Sequence, residues 1–249
     1  MAEAKQRLYL HIGTHKTGSS SLQHYLGAQR KTLAGHGFSY FTGAYEPDNH
    51  VEFFAVAMRA EREAFSRAKY GIEQTDYALA AAAANFQEFR QATQKQALIV
   101  STEGLSLLRH DDEMERLKTI LDAETLDIVP ILVLRDKAAF LDSFRKQILK
   151  HADRELSDDP ASINYVGQDS WLADFGAIKS LWRKHFGEDA LRIIDYDQAM
   201  ERDGDVLPAA LKAMDLPESF IPVAGSVRVN TDTFKTRIKR FLRKIGFGS

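Results

Sequence analysis

Two stretches, LIVS at 98–101 and VPILVL at 129–134, are apolar along almost their whole length instead of alternating apolar with polar. A strand of that kind hides both of its faces, as strands do in a parallel sheet covered by helices on each side. With Leu8–Ile12, Phe38–Phe41 and Leu191–Ile194 they make five short strand candidates: Leu8–Ile12, Phe38–Phe41, Ala97–Ser101, Ile128–Leu134 and Leu191–Ile194. Helical periodicity fills the intervals. One pattern begins at Ser20 and ends among glycines 35 and 37, which can stop a helix. An alanine-rich pattern carries Leu79, Phe86 and Phe89 near one face, a third runs through Phe140, Phe144 and Ile148, and a fourth through Trp171, Phe175, Ile178 and Trp182. Strands alternating with helices predict an α/β fold, a three-layer α/β/α sandwich around a central parallel sheet. No repeat or Pro/Gly/Ser linker divides residues 1–249, so one domain is expected, with residues 227–249 as a basic amphipathic helix at its end.

The first strand candidate runs into HIGTHKTGSSSL, residues 11–22. Strand, glycine-bearing turn and helix is the context of a phosphate-binding loop, in which turn amides and the positive helix end hold an anion. Such a turn can also need its glycines for geometry alone. Gly13 and Gly18 have Walker spacing, but Ser19 occupies the lysine position and the lysine, Lys16, precedes the second glycine. The Walker lysine reaches the β- and γ-phosphates beside Mg²⁺, so its displacement argues against ordinary nucleotide hydrolysis. His15, Thr17, Gly18, Ser19 and Ser20 are the neighbouring candidates for contact with the anion.

The order Lys-Thr-Gly-Ser-Ser resembles the 5′-phosphosulfate loop of the PAPS-dependent sulfotransferases, nearer to the carbohydrate-type and bacterial members than to the cytosolic aryl enzymes. The resemblance implies a P-loop NTPase-like fold and 3′-phosphoadenosine 5′-phosphosulfate (PAPS) as donor, with PAP as product and no metal. It extends to ILVLRDKAAFLDSFRKQ, where strand-end Arg135 and Ser143 are similar to the family's 3′-phosphate motif. Arg135 could grip a phosphate with paired N–H donors, or stand in a salt bridge. The family usually places proline two residues after this arginine, and this chain has Lys137. A tryptophan-bearing helix, Phe186-Gly187, a strand and an acidic turn continue the likeness, which spans roughly residues 7–217 and leaves 42–96 largely uncovered. Arg228 and Asn230 resemble a late loop that closes over the donor in some relatives.

Transfer to an acceptor hydroxyl needs a general base. Ligands of open α/β sheets sit outside the carboxyl ends of the strands, where His50 and Glu103 both fall. His50 precedes an expected helix start, which disfavours imidazolium and keeps the ring able to accept a proton. Glu103 follows a central strand and competes for the same role. Lys16 suits the charge growing on the leaving phosphate. The resemblance implies a saccharide or glycolipid hydroxyl as acceptor. Two other readings stay open: a P-loop small-molecule kinase using Mg-ATP, and a module that binds a nucleotide or anionic glycan without turnover.

Composition narrows the surroundings. A net charge of −2 gives no global basic field for nucleic acid, and the absence of cysteine excludes disulfides, thiolate metal sites and cysteine nucleophiles. The first apolar run is too short for a signal peptide or membrane span, so a cytoplasmic, bacterial protein is expected. Near the end, Lys235, Arg237, Lys239, Arg240, Arg243 and Lys244 interleave with Phe234, Ile238, Phe241, Leu242 and Ile245 at spacings of three and four. That helix could dock on the body, help hold the donor, attract an anionic acceptor or rest on an anionic membrane surface.

Overall fold

The computed structural model describes residues 5–93, 97–151 and 154–222. Arg228, Asn230 and the basic helix expected at 227–249 lie outside the described residues. The elements run β1 (Gln6–His11), α1 (Ser19–Ala28), α2 (Arg30–Gly35), β2 (Phe38–Tyr40), α3 (Glu52–Ala57), α4 (Phe65–Tyr70) and α5 (Asp76–Ala92). They continue with β3 (Ala97–Ser101), α6 (Asp111–Leu121), β4 (Leu126–Leu134), α7 (Lys137–Leu149), α8 (Phe175–Phe186), β5 (Arg192–Asp195), α9 (Tyr196–Asp203) and α10 (Leu207–Ala213).

The five strands form one sheet in the order β2-β3-β1-β4-β5, every pair parallel. Alternate side chains of each strand serve two separate cores, as the period-two pleat requires. Leu8, Leu10, Ile12, Leu98, Val100 and Leu132 point to one side, toward Phe53 and Phe54 of α3, Phe86 of α5, Phe140 and Phe144 of α7 and Trp182 of α8. Tyr9, Ile99, Ile131 and Val133 point to the other, against Leu22 and Leu26 of α1, Leu33 of α2 and Leu207 and Leu211 of α10. This is the three-layer α/β/α sandwich. Both faces are covered, which is why these strands are apolar without alternation.

Pro130 sits inside β4 without breaking it. The Ile131 carbonyl accepts from Ile12 N–H, so Ile131 turns toward β1 and Pro130 turns toward β5. Pairing with β5 begins only at Ile131–Arg192, so the missing N–H of Pro130 interrupts no ladder. The stretch 42–96 holds α3, all six of whose residues are buried, and α5, capped by Thr75 Oγ1 accepting from Ala78 N–H.

Candidate functional site

The chain leaves β1 for one side of the sheet and later crosses to β4 on the other, so the crevice of an open α/β sheet opens beside β1. There the loop 12–18 turns into α1. Thr14 ties the loop to β4: its N–H and its hydroxyl both donate to the Val133 carbonyl, at 3.2 and 3.0 Å. Thr17 is buried and donates its hydroxyl to the Thr14 carbonyl at 2.5 Å, so its side chain braces the loop from within and offers an incoming ligand only its backbone. Gly18, at φ 83°, is required twice over: the left-handed backbone favours glycine, and an added Cβ would lie 2.6 Å from Val206 Cγ1. Lys16 adopts φ 67°, unusual for a residue with a Cβ, and its side chain is exposed.

The polar groups of this loop are left over. No described acceptor takes the N–H groups of residues 15–18, and the first amides of α1 have no partner within the helix. Ser19 Oγ and His15 Nε2 are enclosed without hydrogen-bond partners. Burial holds the His15 imidazole below its usual pKa, with the Glu103 charge pulling it up and Lys16 pushing it down. The ring is therefore neutral near pH 7. A row of unused donors and hydroxyls around an exposed cation is the donor set an anion takes.

Arg135, at the end of β4, reaches the same crevice. Its Nη1 lies 3.5 Å from the Lys16 carbonyl, while its guanidinium sits 5.1 Å from the Tyr196 ring and its Nε 4.0 Å from Asp197 Oδ1. Asp197 also accepts from Asp136 N–H at 2.7 Å, so the arginine is oriented from the start of α9. Asp136 accepts from Ala139 N–H at 2.9 Å and caps α7. A carboxylate cap thus starts this helix in the absence of proline at 137. Ser143 lies in the second turn of α7, beside Phe144, whose ring is 5.4 Å from His15. Helix α7 therefore packs directly on the loop.

Glu103 opens the short turn after β3. Its Oε2 accepts from Gln23 Nε2 at 3.0 Å, and that amide also lies 3.5 Å from Asn49 Oδ1. Gly104 lets the chain pass here, because the Phe54 ring occupies the place of its missing Cβ. Glu103, His15, Thr102, Asn49, Phe54 and Lys69 line a cavity of about 200 Å³ beside the loop. Gln23 was not singled out in the sequence, yet it stands four residues after Ser19, on the helix face turned toward the loop.

His50 corrects an expectation. The ring is fully buried, its Nδ1 accepts from Ser101 N–H at 2.9 Å, and Tyr40 and Phe41 lie 4.8 and 5.1 Å away. Burial, with Arg30 nearby, pushes its pKa down to about 3. One nitrogen is committed and the other, Nε2, is sealed within the protein, so an acceptor in the crevice has no path to it. His50 joins β3 to α3. The ring is neutral because it is buried, not because it precedes a helix.

No family model and no curated protein matches the sequence. Among solved structures, the chain is similar to a sulfotransferase from Alicyclobacillus acidocaldarius, at TM-score 0.55 and 13% identity over 98% of this chain and 94% of that one. A mouse sulfotransferase, SULT7A1 complexed with PAP, superposes at TM-score 0.42 with 14% identity, over 95% of this chain and 64% of that one. A gluconokinase from Sinorhizobium meliloti 1021 superposes at TM-score 0.36 with 10% identity, over 86% and 94%. The first likeness shows a sulfotransferase fold of the P-loop-like α/β kind. Among the described residues, no helix is long and apolar enough to cross a membrane.

Proposed function

We propose that this protein transfers a sulfuryl group from PAPS to a hydroxyl of a saccharide or glycolipid acceptor. One observation carries the reading: the Arg135 guanidinium stands 3.5 Å from the Lys16 carbonyl, so the arginine at the end of β4 meets the loop that carries the lysine. A nucleotide phosphorylated at both its 5′ and 3′ positions needs such a pair.

In this reading the free amides of residues 15–18 with Lys16, Ser19 and Ser20 take the 5′ end, and Arg135 with Ser143 takes the 3′-phosphate. Arg228 and Asn230 keep their proposed part in closing over the donor. PAPS supplies an activated sulfonate whose leaving group is a phosphate. Lys16 stabilises the charge that grows on that phosphate, from a position fixed by its left-handed backbone. Glu103 accepts the proton of the acceptor hydroxyl, held in place by Gln23. His15, neutral and with Nε2 enclosed, lines the same cavity as Glu103 and forms part of its wall.

Thermal melting with PAP in the absence of magnesium tests the donor. At a hundredfold excess over Kd, binding contributes about 2.7 kcal/mol, or roughly 5–10 °C in Tm for a chain of this size. Transfer of label from radioactive PAPS to saccharide acceptors should accompany it, and Lys16→Ala should abolish that transfer. Stabilisation by Mg-ATP in preference to PAP would replace this reading with a kinase, and PAP binding without transfer would leave a non-catalytic module.

A further inference from the structure

The cavity beside Glu103 is small. At about 200 Å³ it falls below the roughly 300–1,000 Å³ of ordinary ligand pockets, so it suits the reacting part of an acceptor and little more. A second cavity of about 720 Å³ adjoins it. Ile163 lines both, and the segment 61–66 forms a common wall, residues 61–63 facing one cavity and 64–66 the other. The larger space is lined by the carboxylates Glu61, Glu63, Asp159 and Asp174 together with Arg109 and Trp171.

Two of these groups are unsatisfied. Arg109 is half-buried; among the described residues its guanidinium donates to the carbonyls of Ser106, Leu108 and Trp171, and its Nε is enclosed without a partner. Trp171 Nε1 is likewise enclosed without an acceptor. Both of these nitrogens belong to the interior of the wall, and Arg109 and Trp171 face the trough with their remaining surface. The wall is also stiff. Arg62 is held to both oxygens of buried Glu113 at 2.8 Å, and the guanidinium carbons of Arg62 and Arg109 lie 5.0 and 5.1 Å from the Trp171 ring.

We infer that the 720 Å³ trough is a subsite for the distal units of an extended, uncharged or amino-bearing oligosaccharide whose reacting hydroxyl sits at Glu103. Carboxylates accept from sugar hydroxyls or ammonium groups in charge-assisted bonds, and the Arg109 guanidinium on the wall donates to ring and hydroxyl oxygens. Four carboxylates against the guanidiniums of Arg62, already paired with Glu113, and Arg109 repel an anionic chain. The inference rests on the sulfuryl-transfer reading for the end that reacts.

Tryptophan emission provides the test, because the chain has two tryptophans and the other, Trp182, is fully buried. The full chain would be titrated with glucosamine, its β-1,4-linked trimer, the N-acetylated trimer and a uronate-containing trimer. The uncharged or amino trimer should shift the emission and bind at least tenfold tighter than the monosaccharide, with the uronate trimer weakest. Ala161→Phe with Ala177→Phe, both at exposed positions lining the trough, should remove the gain with chain length while leaving PAP stabilisation unchanged. No emission change with any trimer, tightest binding of the uronate trimer, or a double variant that keeps full affinity would overturn the subsite. Stabilisation by PAP without trimer binding removes this inference alone. Trimer binding without PAP stabilisation removes the transfer reading and keeps the trough.

Discussion

The ends of β2 and β3 lie side by side in the sheet, and each leads to a residue able to accept a proton. After β2 the chain reaches His50, enclosed by Tyr40, Phe41 and Phe53 and spent on a backbone N–H. After β3 it reaches Glu103, half-buried at the edge of a cavity beside Lys16 and His15 and braced by Gln23. A strand end at the rim of the sheet therefore offers a place for chemistry without guaranteeing it. What separates the two is access: an imidazole with no solvent path serves the architecture, and a carboxylate on a cavity wall can serve a substrate.

That contrast is easiest to break with paired substitutions. Glu103→Gln keeps the size and a hydrogen-bonding group, so it should lower kcat by about 10²–10⁴ while leaving PAP affinity within a few fold. His50→Gln should retain kcat within a few fold in the molecules that remain folded. Steady-state kinetics with PAP titrations would settle the comparison, and a His50 variant that is inactive yet fully stable would reverse it.

Acid sharpens the same contrast through stability. Burial lowers the pKa of His50 to about 3, and that of His11, whose Nδ1 lies 2.9 Å from Ser101 Oγ, to about 4. Both values lie below the unfolded pKa of about 6.5, so the unfolded chain binds more protons in that window. Their contribution is present above about pH 6.5 and is lost as pH falls toward 4 and 3. Between pH 7 and 4.5 each should cost on the order of 2 kcal/mol, read from urea titrations at the two pH values. His50→Gln should remove its share of the loss. A smaller effect is expected where Asp136 starts α7: Asp136→Ala removes the cap and should cost about 1 kcal/mol.

Much of the framework was legible because burial on both faces writes itself into a strand as an unbroken apolar run. Ala97–Ser101 appears with the expected bounds, and β4 only begins earlier, at Leu126. The loop was readable for a similar local reason, since glycine, lysine and serines follow one another within a single turn. Spatial partners were not. The Asp136 cap that substitutes for proline, the Asp197 carboxylate beside Arg135 and the Gln23 brace on Glu103 all depend on which elements meet. So does the cage of His50, although the apolar neighbours Val51, Phe53 and Phe54 were a visible sign that it would be buried. Within 42–96, Arg67 of α4 donates to the carbonyls of Ala55, Met58, Arg59 and Arg62 and clamps the segment, a role no local pattern announces.

Sulfuryl transfer from PAPS requires one crevice to hold both phosphate-bearing ends of one nucleotide. Calorimetric titration of PAP and of adenosine 5′-phosphate, which lacks the 3′-phosphate, tests this directly in the unaltered chain, in Lys16→Ala and in Arg135→Ala. Lys16→Ala should weaken both ligands, whereas Arg135→Ala should weaken PAP alone and erase its advantage over the monophosphate. If Arg135→Ala leaves that advantage intact, the end of β4 does not hold the 3′-phosphate, and the shared crevice is contradicted.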